Sequence, residues 1–191
     1  MSGRLGILGG AFDPPHVGHV ALARAALERL GLERLLVLVA ADPGHKPTHA
    51  PAEARLEMAR AAFAGLPGVE VELDLHPRTI DSLEARGVRD AVLVLGADEL
   101  ADFPGWKDPE GVLERVRLAV AARPGVPDER VREARARLSQ PGRVTFFAVE
   151  PHPVSSTEIR ARVARGEPVD GLVPPAVAAV IARRGLYRGR E

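Results

Sequence analysis

The chain has 191 residues, 46% of them hydrophobic and 27% charged, with a formal net charge of zero at pH 7, the composition of an ordinary globular protein with one sizeable core. Nothing in that balance points to nucleic acid or an anionic membrane as a partner, and no apolar run approaches the ~18 residues of a membrane span. There is no cysteine, which rules out disulfides and thiolate metal sites; with no signal peptide read at the start, the expected compartment is the cytoplasm.

The first apolar run, RLGIL at 4–8, predicts a strand, and the stretch after it, GGAFDPPHVGH at 9–19, is richer than a connector needs. Gly9 and Gly10 allow a tight turn and a close approach to a ligand, while Pro14 and Pro15 stiffen the loop. The amphipathic HVALARAALERLG predicts a helix that stops at Gly31. His16 and His19, three apart at its start, share one face, and Gly18 between them leaves room for a base or a phosphate. The helix start favours anions, and two imidazoles there suit a transferring phosphoryl group. A glycine turn with two surface histidines is the plain alternative; the complete G-x-F-D-P-x-H-x-G-H pattern between strand and helix outweighs it. Asp13 with the two histidines is also a conceivable metal set, set aside because no third strong ligand follows in sequence.

The next strand is LLVLV at 35–39, and its loop DPGHKPTH carries Lys46, one of only two lysines beside 24 arginines. A ligand contact and a solvated surface lysine are equally compatible with that position. PAEARLEMARAAFAG predicts a helix from Pro51 to Gly65, VEVEL at 69–73 a strand, TIDSLEA a short helix, VLVLG at 92–96 and LAVAA at 118–122 two more strands. PDERVREARARL predicts a charged, solvent-facing helix before a last strand, VTFFAV at 144–149. Most of these runs are continuous rather than alternating, as in strands buried on both faces of a parallel sheet. Strands alternating with helices predict a doubly wound, mostly parallel α/β sheet whose ligand lies beyond the strands' carboxyl ends.

The tail holds two helices with no strand between them. In PVSSTEIRARV, Ser155 and Glu158 have capping-box spacing, and Arg160 lies one turn in. The chain has only five Ser and four Thr, and three of those nine are Ser155, Ser156 and Thr157; that clustering favours a phosphate-gripping helix end over a plain cap. Pro174 or Pro175 starts the last helix and Gly185 ends it. Residues 1–149 read as a nucleotide-binding α/β core and 150–191 as a small helical appendage packed on the sheet. The lack of Asn and the single Gln fit a thermophile, although a GC-rich genome would also favour such usage.

The opening motif and SSTEIR together resemble the nucleotidyltransferase superfamily related to class I aminoacyl-tRNA synthetases. Within it, GGAFDPPHVGH, HKP, TIDSL, GADELADFPGW, ARPG and VSSTEIRARV…LVPPAVAAVIARRGLY resemble, in order, the bacterial nicotinate-nucleotide adenylyltransferase family. The resemblance implies that ATP and nicotinate mononucleotide give deamido-NAD and pyrophosphate with Mg²⁺ on the ATP phosphates, and that no protein side chain ligates a metal. It implies that Gly9, Gly10, Phe12, His16 and His19 hold ATP, with His19 nearest the reacting phosphate. Lys46 would contact phosphate, Gly96 and Asp98 would line the nucleotide site, and Ser156, Thr157 and Arg160 would grip the β- and γ-phosphates. His16, His19, Lys46 and Arg160 would form the catalytic set, and Thr79 and Trp106 the nicotinate side.

The chain departs from the family pattern at Arg78, where an aromatic is common, at Ser82, where Thr is usual, and at Lys107, where an aromatic is frequent. Adenylyl transfer to nicotinamide mononucleotide or a phosphopantetheine, and a non-catalytic nucleotide-binding regulator, remain as alternatives; where phosphopantetheine enzymes usually have Thr, this chain has His16. Small-molecule substrates are the expected partners, with no nucleic acid and no membrane, and self-association is left open.

Overall fold

The computed structural model describes residues 4–44, 47–122 and 129–189. The apolar runs become six strands: β1 (Leu5–Gly10), β2 (Arg34–Ala40), β3 (Val69–Asp74), β4 (Ala91–Gly96), β5 (Val116–Ala122) and β6 (Val144–Ala148). They form one parallel sheet in the order β3-β2-β1-β4-β5-β6. β1 is paired with β2 on one side and β4 on the other. The strand order reverses there, and in such sheets the crevice outside that point takes the ligand.

Among the described residues eight α-helices cover the faces: α1 (Val17–Leu30), α2 (Ala52–Phe63), α3 (Thr79–Ala85), α4 (Ala97–Asp102), α5 (Pro109–Arg115), α6 (Glu129–Ala136), α7 (Ser156–Ala164) and α8 (Pro175–Arg184). Because side chains alternate along a strand, the sheet has a core on each face. Leu8, Val37 and Val39 pack with Met58, Phe63, Ile159, Val177 and Ile181 under α1, α2, α7 and α8. Ile7, Leu38, Leu93 and Leu95 pack with Leu83, Leu100, Phe103 and Leu113 under α3 to α6. The last two helices therefore share a core with α2, and Glu57 of α2 pairs with Arg183 and Arg184 of α8.

Two local expectations are corrected. α2 ends at Phe63 with a right-handed Ala64 as its cap, so Gly65 does not stop it; α1 and α8 do end on left-handed glycines, Gly31 and Gly185. α6 is not wholly solvent-facing, because Val131 and Ala134 are buried. α4 and α5 went unread in the sequence, although Asp108, whose side chain accepts from the Gly111 N–H, followed by Pro109 is a helix-start signal.

Candidate active site

Both glycines of the opening motif still belong to β1, paired with Leu38 and Val39 of β2. The left-handed residue in this turn is Phe12, at φ 50°. A bulky residue holds that conformation only where its surroundings impose it; Phe12 is buried, edge-on to Phe63 and His19 at centroid distances of 5.8 and 5.1 Å. A Cβ on Gly10 would lie 3.0 Å from the Phe12 ring, whereas one on Gly9 would meet nothing within 4 Å. Gly10 thus makes room for Phe12, Gly9 opens onto empty space, and Phe12 can offer a ligand only its backbone.

His16 caps α1 and His19 sits one turn in. Their rings stack at 3.8 Å, and the His16 N–H donates to His19 Nδ1 at 3.1 Å. An Nδ1 that accepts leaves the proton of the neutral ring on Nε2, so His19 carries its donor on the far side. His16 is neutral near pH 7: burial, with His152 adding to it, lowers its pKa to about 4. Its Nδ1 is buried without a hydrogen-bond partner among the described residues. The room beside Gly18 is already filled, since a Cβ there would lie 3.1 Å from the His16 ring and 3.5 Å from His152 Cβ. The expected space for a base or phosphate is instead taken up by the His16 ring.

Asp13 is a buried strut. Its carboxylate accepts from the backbone N–H of His49 at 2.6 Å and of Ala50 at 3.2 Å, and from the Tyr187 hydroxyl at 2.6 Å. These bonds occupy it from three sides, which removes it from the metal set weighed above. Burial, followed by the bond to Asp13, pushes the Tyr187 pKa up, so the hydroxyl stays a donor. Among the described residues no three His, Cys, Asp or Glu side chains converge as a metal site. α7 braces the same loop. Ser156 Oγ donates to Pro14 O at 2.8 Å, and Arg160 donates from Nη1 to Asp13 O at 2.7 Å and from Nη2 to Thr157 Oγ1 at 3.2 Å. Ser155 supplies half of the expected capping box by accepting from the Glu158 N–H; the Glu158 carboxylate pairs with Arg162.

Beside this loop, at the carboxyl ends of β1, β2 and β4, lies a cavity of about 570 Å³. Thr79 and Trp106 both line it, as do Gly9, Gly10 and Ser82. Trp106 packs on Phe103 with ring centroids 5.1 Å apart. Arg78 and Lys107 also reach the lining, but Lys107 Nζ bonds Asp81 at 2.7 Å and Arg78 Nη1 bonds the Pro77 carbonyl at 3.0 Å. The histidine pair, Ser156, Thr157 and Arg160 lie outside its lining. Gly96 caps α4, its N–H donating to Glu99 Oε2 at 2.7 Å. Glu99 lines the cavity and the exposed Asp98 does not. Lys46 lies outside the described residues.

Residues 7–162 match the cytidylyltransferase-like family. A protein of Bordetella avium named "Probable nicotinate-nucleotide adenylyltransferase" is 43% identical over 97% of this chain and 98% of its own length. The chain belongs to the nicotinate-nucleotide adenylyltransferase family. A Rubrobacter xylanophilus protein of the same name is 36% identical over 97% of this chain and 92% of its own. The fold is that of the Plasmodium falciparum nicotinic acid mononucleotide adenylyltransferase solved in complex with NaAD, with a TM-score of 0.74 at 16% identity and 97% of each chain covered.

Within this nicotinate-nucleotide adenylyltransferase framework, sequence reasoning gives no role to Arg55, Tyr187 or His152. Arg55, fully buried, donates to the carbonyls of Ala11, Ala40, Ala41 and Ala50 at 2.6–3.1 Å and ties the β1 and β2 loops to the start of α2; burial lowers its pKa. Tyr187 bonds Asp13, and His152 lies against Gly18 and adds to the lowering of the His16 pKa. Ser82 is buried and lines the cavity, yet its hydroxyl has no partner among the described residues. An arginine inside an otherwise apolar helix face was the one signal available in advance.

Proposed function

We propose that this chain transfers the adenylyl group of ATP to nicotinate mononucleotide, releasing pyrophosphate and forming deamido-NAD for NAD biosynthesis, and that it works in the cytoplasm. The observation that carries the reading is the stacked His16–His19 pair at the start of α1 beside a cavity lined by Thr79 and Trp106. A 5′-phosphate oxygen of the mononucleotide attacks the α-phosphorus of ATP, the bond from that phosphorus to the bridging oxygen breaks, and pyrophosphate leaves. No protein nucleophile is required; catalysis is positioning and charge stabilisation.

In this reading the α1 N-terminus and His19 Nε2–H meet the phosphates, Gly9 and Gly10 let the backbone approach ATP, and Gly96 and Asp98 border its nucleoside part. Ser156, Thr157 and Arg160 face the β- and γ-phosphates, and Lys46 belongs to the same end. Mg²⁺ carried on the ATP phosphates would neutralise charge there, held by phosphate oxygens and water rather than by a protein cage. Trp106 offers a flat face to the pyridinium. The Thr79 and Ser82 hydroxyls can donate to its carboxylate, whereas a carboxamide would turn N–H groups toward the same donors.

Pyrophosphate release from ATP with nicotinate mononucleotide, beside nicotinamide mononucleotide, tests the proposal. Turnover with higher kcat/KM for the acid is expected. No release with nicotinate mononucleotide would overturn the activity, and preference for the amide would overturn the acceptor.

A further inference from the structure

The cavity wall between β3 and α3 holds a pair that the chemistry above does not use. Asp74, the last residue of β3, is 9% exposed and lines the cavity. One carboxylate oxygen, Oδ1, takes the backbone N–H of His76 at 3.2 Å and lies 2.9 Å from His76 Nδ1. A buried carboxylate needs a donor, so the Nδ1 facing it carries the proton, and the ring's other nitrogen, Nε2, holds the lone pair. His76 lines the cavity too, with about a third of its side chain exposed.

The other charged groups of the lining are already engaged. Lys107 is paired with Asp81, Arg78 bonds the Pro77 carbonyl, and Glu99 accepts from the Gly96 N–H. Asp42 accepts from the Gly44 N–H, and Asp102 pairs with Arg130. Imidazole is the side chain that ordinarily gains or loses charge in the neutral range. With Asp74 behind it, His76 can take a proton on Nε2 without losing its existing bond, and the imidazolium then points a donor and a charge away from a carboxylate that compensates it.

We propose that His76, oriented by Asp74, is the proton-coupled anion reader of the acceptor cavity: it takes one proton from solvent as the acidic mononucleotide binds and donates from Nε2 to an anionic group of that ligand. The proposal rests on the reading of this cavity as the mononucleotide site. Asp74 is a positioning residue, holding the ring in the tautomer whose free nitrogen faces the ligand.

The test is the dissociation constant of nicotinate mononucleotide for the full chain between pH 6.5 and 8.5, for the wild type, His76→Gln and Asp74→Asn. The ligand's own phosphate titrates near pH 6, and His76→Gln subtracts that contribution. The wild type should weaken about tenfold more than His76→Gln across the range, with Asp74→Asn following the glutamine variant. The KM for ATP and the melting temperature should stay near wild type in both variants. Nicotinate riboside, with a carboxylate and no phosphate, and nicotinamide mononucleotide, with a phosphate and no carboxylate, identify which anion is read: the pH effect should persist with one and vanish with the other. Superimposable profiles for wild type and His76→Gln overturn the proposal, and Asp74→Asn behaving as wild type overturns the positioning role. Absence of pyrophosphate release by the wild type would instead refute the activity, so the two failures are distinguishable.

Discussion

Arg160 and Asp13 are 147 residues apart in sequence, yet Arg160 Nη1 donates to the Asp13 backbone carbonyl at 2.7 Å. The guanidinium therefore holds the loop that presents the histidine pair, and Ser156 holds its next residue in the same way. Arg160→Ala removes a charge-assisted bond worth about 1.5–3 kcal/mol. The kcat/KM for ATP should fall on the order of 10- to 100-fold, more than in Arg160→Lys, which keeps a charge but cannot reach both partners. ATP kinetics unchanged from wild type in Arg160→Ala would reduce SSTEIR to an ordinary helix cap.

His19→Ala should lower kcat by on the order of 10²- to 10³-fold, the usual cost of one transition-state donor. The KM for the mononucleotide should change little, because His19 is outside the cavity lining. The variant also leaves the His16 N–H without its acceptor. Steady-state kinetics beside a circular-dichroism melt separates the two effects; a folded variant with near wild-type kcat would refute the role.

Ser82→Ala should behave unlike an ordinary buried substitution. A buried hydroxyl without a partner costs the free protein about 1–3 kcal/mol, so removing it should leave the melting temperature unchanged or raise it. The KM for nicotinate mononucleotide should nonetheless rise, and by more than that for the amide, since a bond to a carboxylate is the stronger one. A lower melting temperature with unchanged KM would assign Ser82 to packing alone.

Protonation of His16 opposes folding. Its pKa falls from 6.5 in the unfolded chain to about 4 in the fold, so between those values the unfolded chain binds more protons and stability rises with pH. The contribution is complete above about pH 6.5 and is lost as pH falls through that window toward 4. Melting temperatures between pH 4 and 7 should therefore slope less steeply in His16→Gln than in the wild type. Parallel slopes would show that His16 is not the titrating group.

Most of the frame was legible in advance. The six apolar runs became the six strands within a few residues, and Gly31 and Gly185 end the helices they were expected to end. Strand periodicity and helix capping depend on neighbours within about four residues, so a single chain displays them. The stacking of His16 on His19 is of this kind, following from their spacing at a helix start.

What tertiary structure decided is which polar groups are consumed by the protein and which are left for a ligand. Asp13 reads in sequence as a conceivable metal ligand and becomes a strut because the backbone N–H groups of His49 and Ala50 and the hydroxyl of Tyr187, 174 residues away, all converge on it. Arg55 stands in sequence as an arginine on an apolar helix face, and only the fold surrounds it with four carbonyls from three segments. Buried polar groups must find partners, and those partners are set by how strands and helices stack rather than by spacing along the chain. The motifs thus mark where chemistry gathers, while packing alone determines that His76 and Ser82 face the cavity and Asp13 does not.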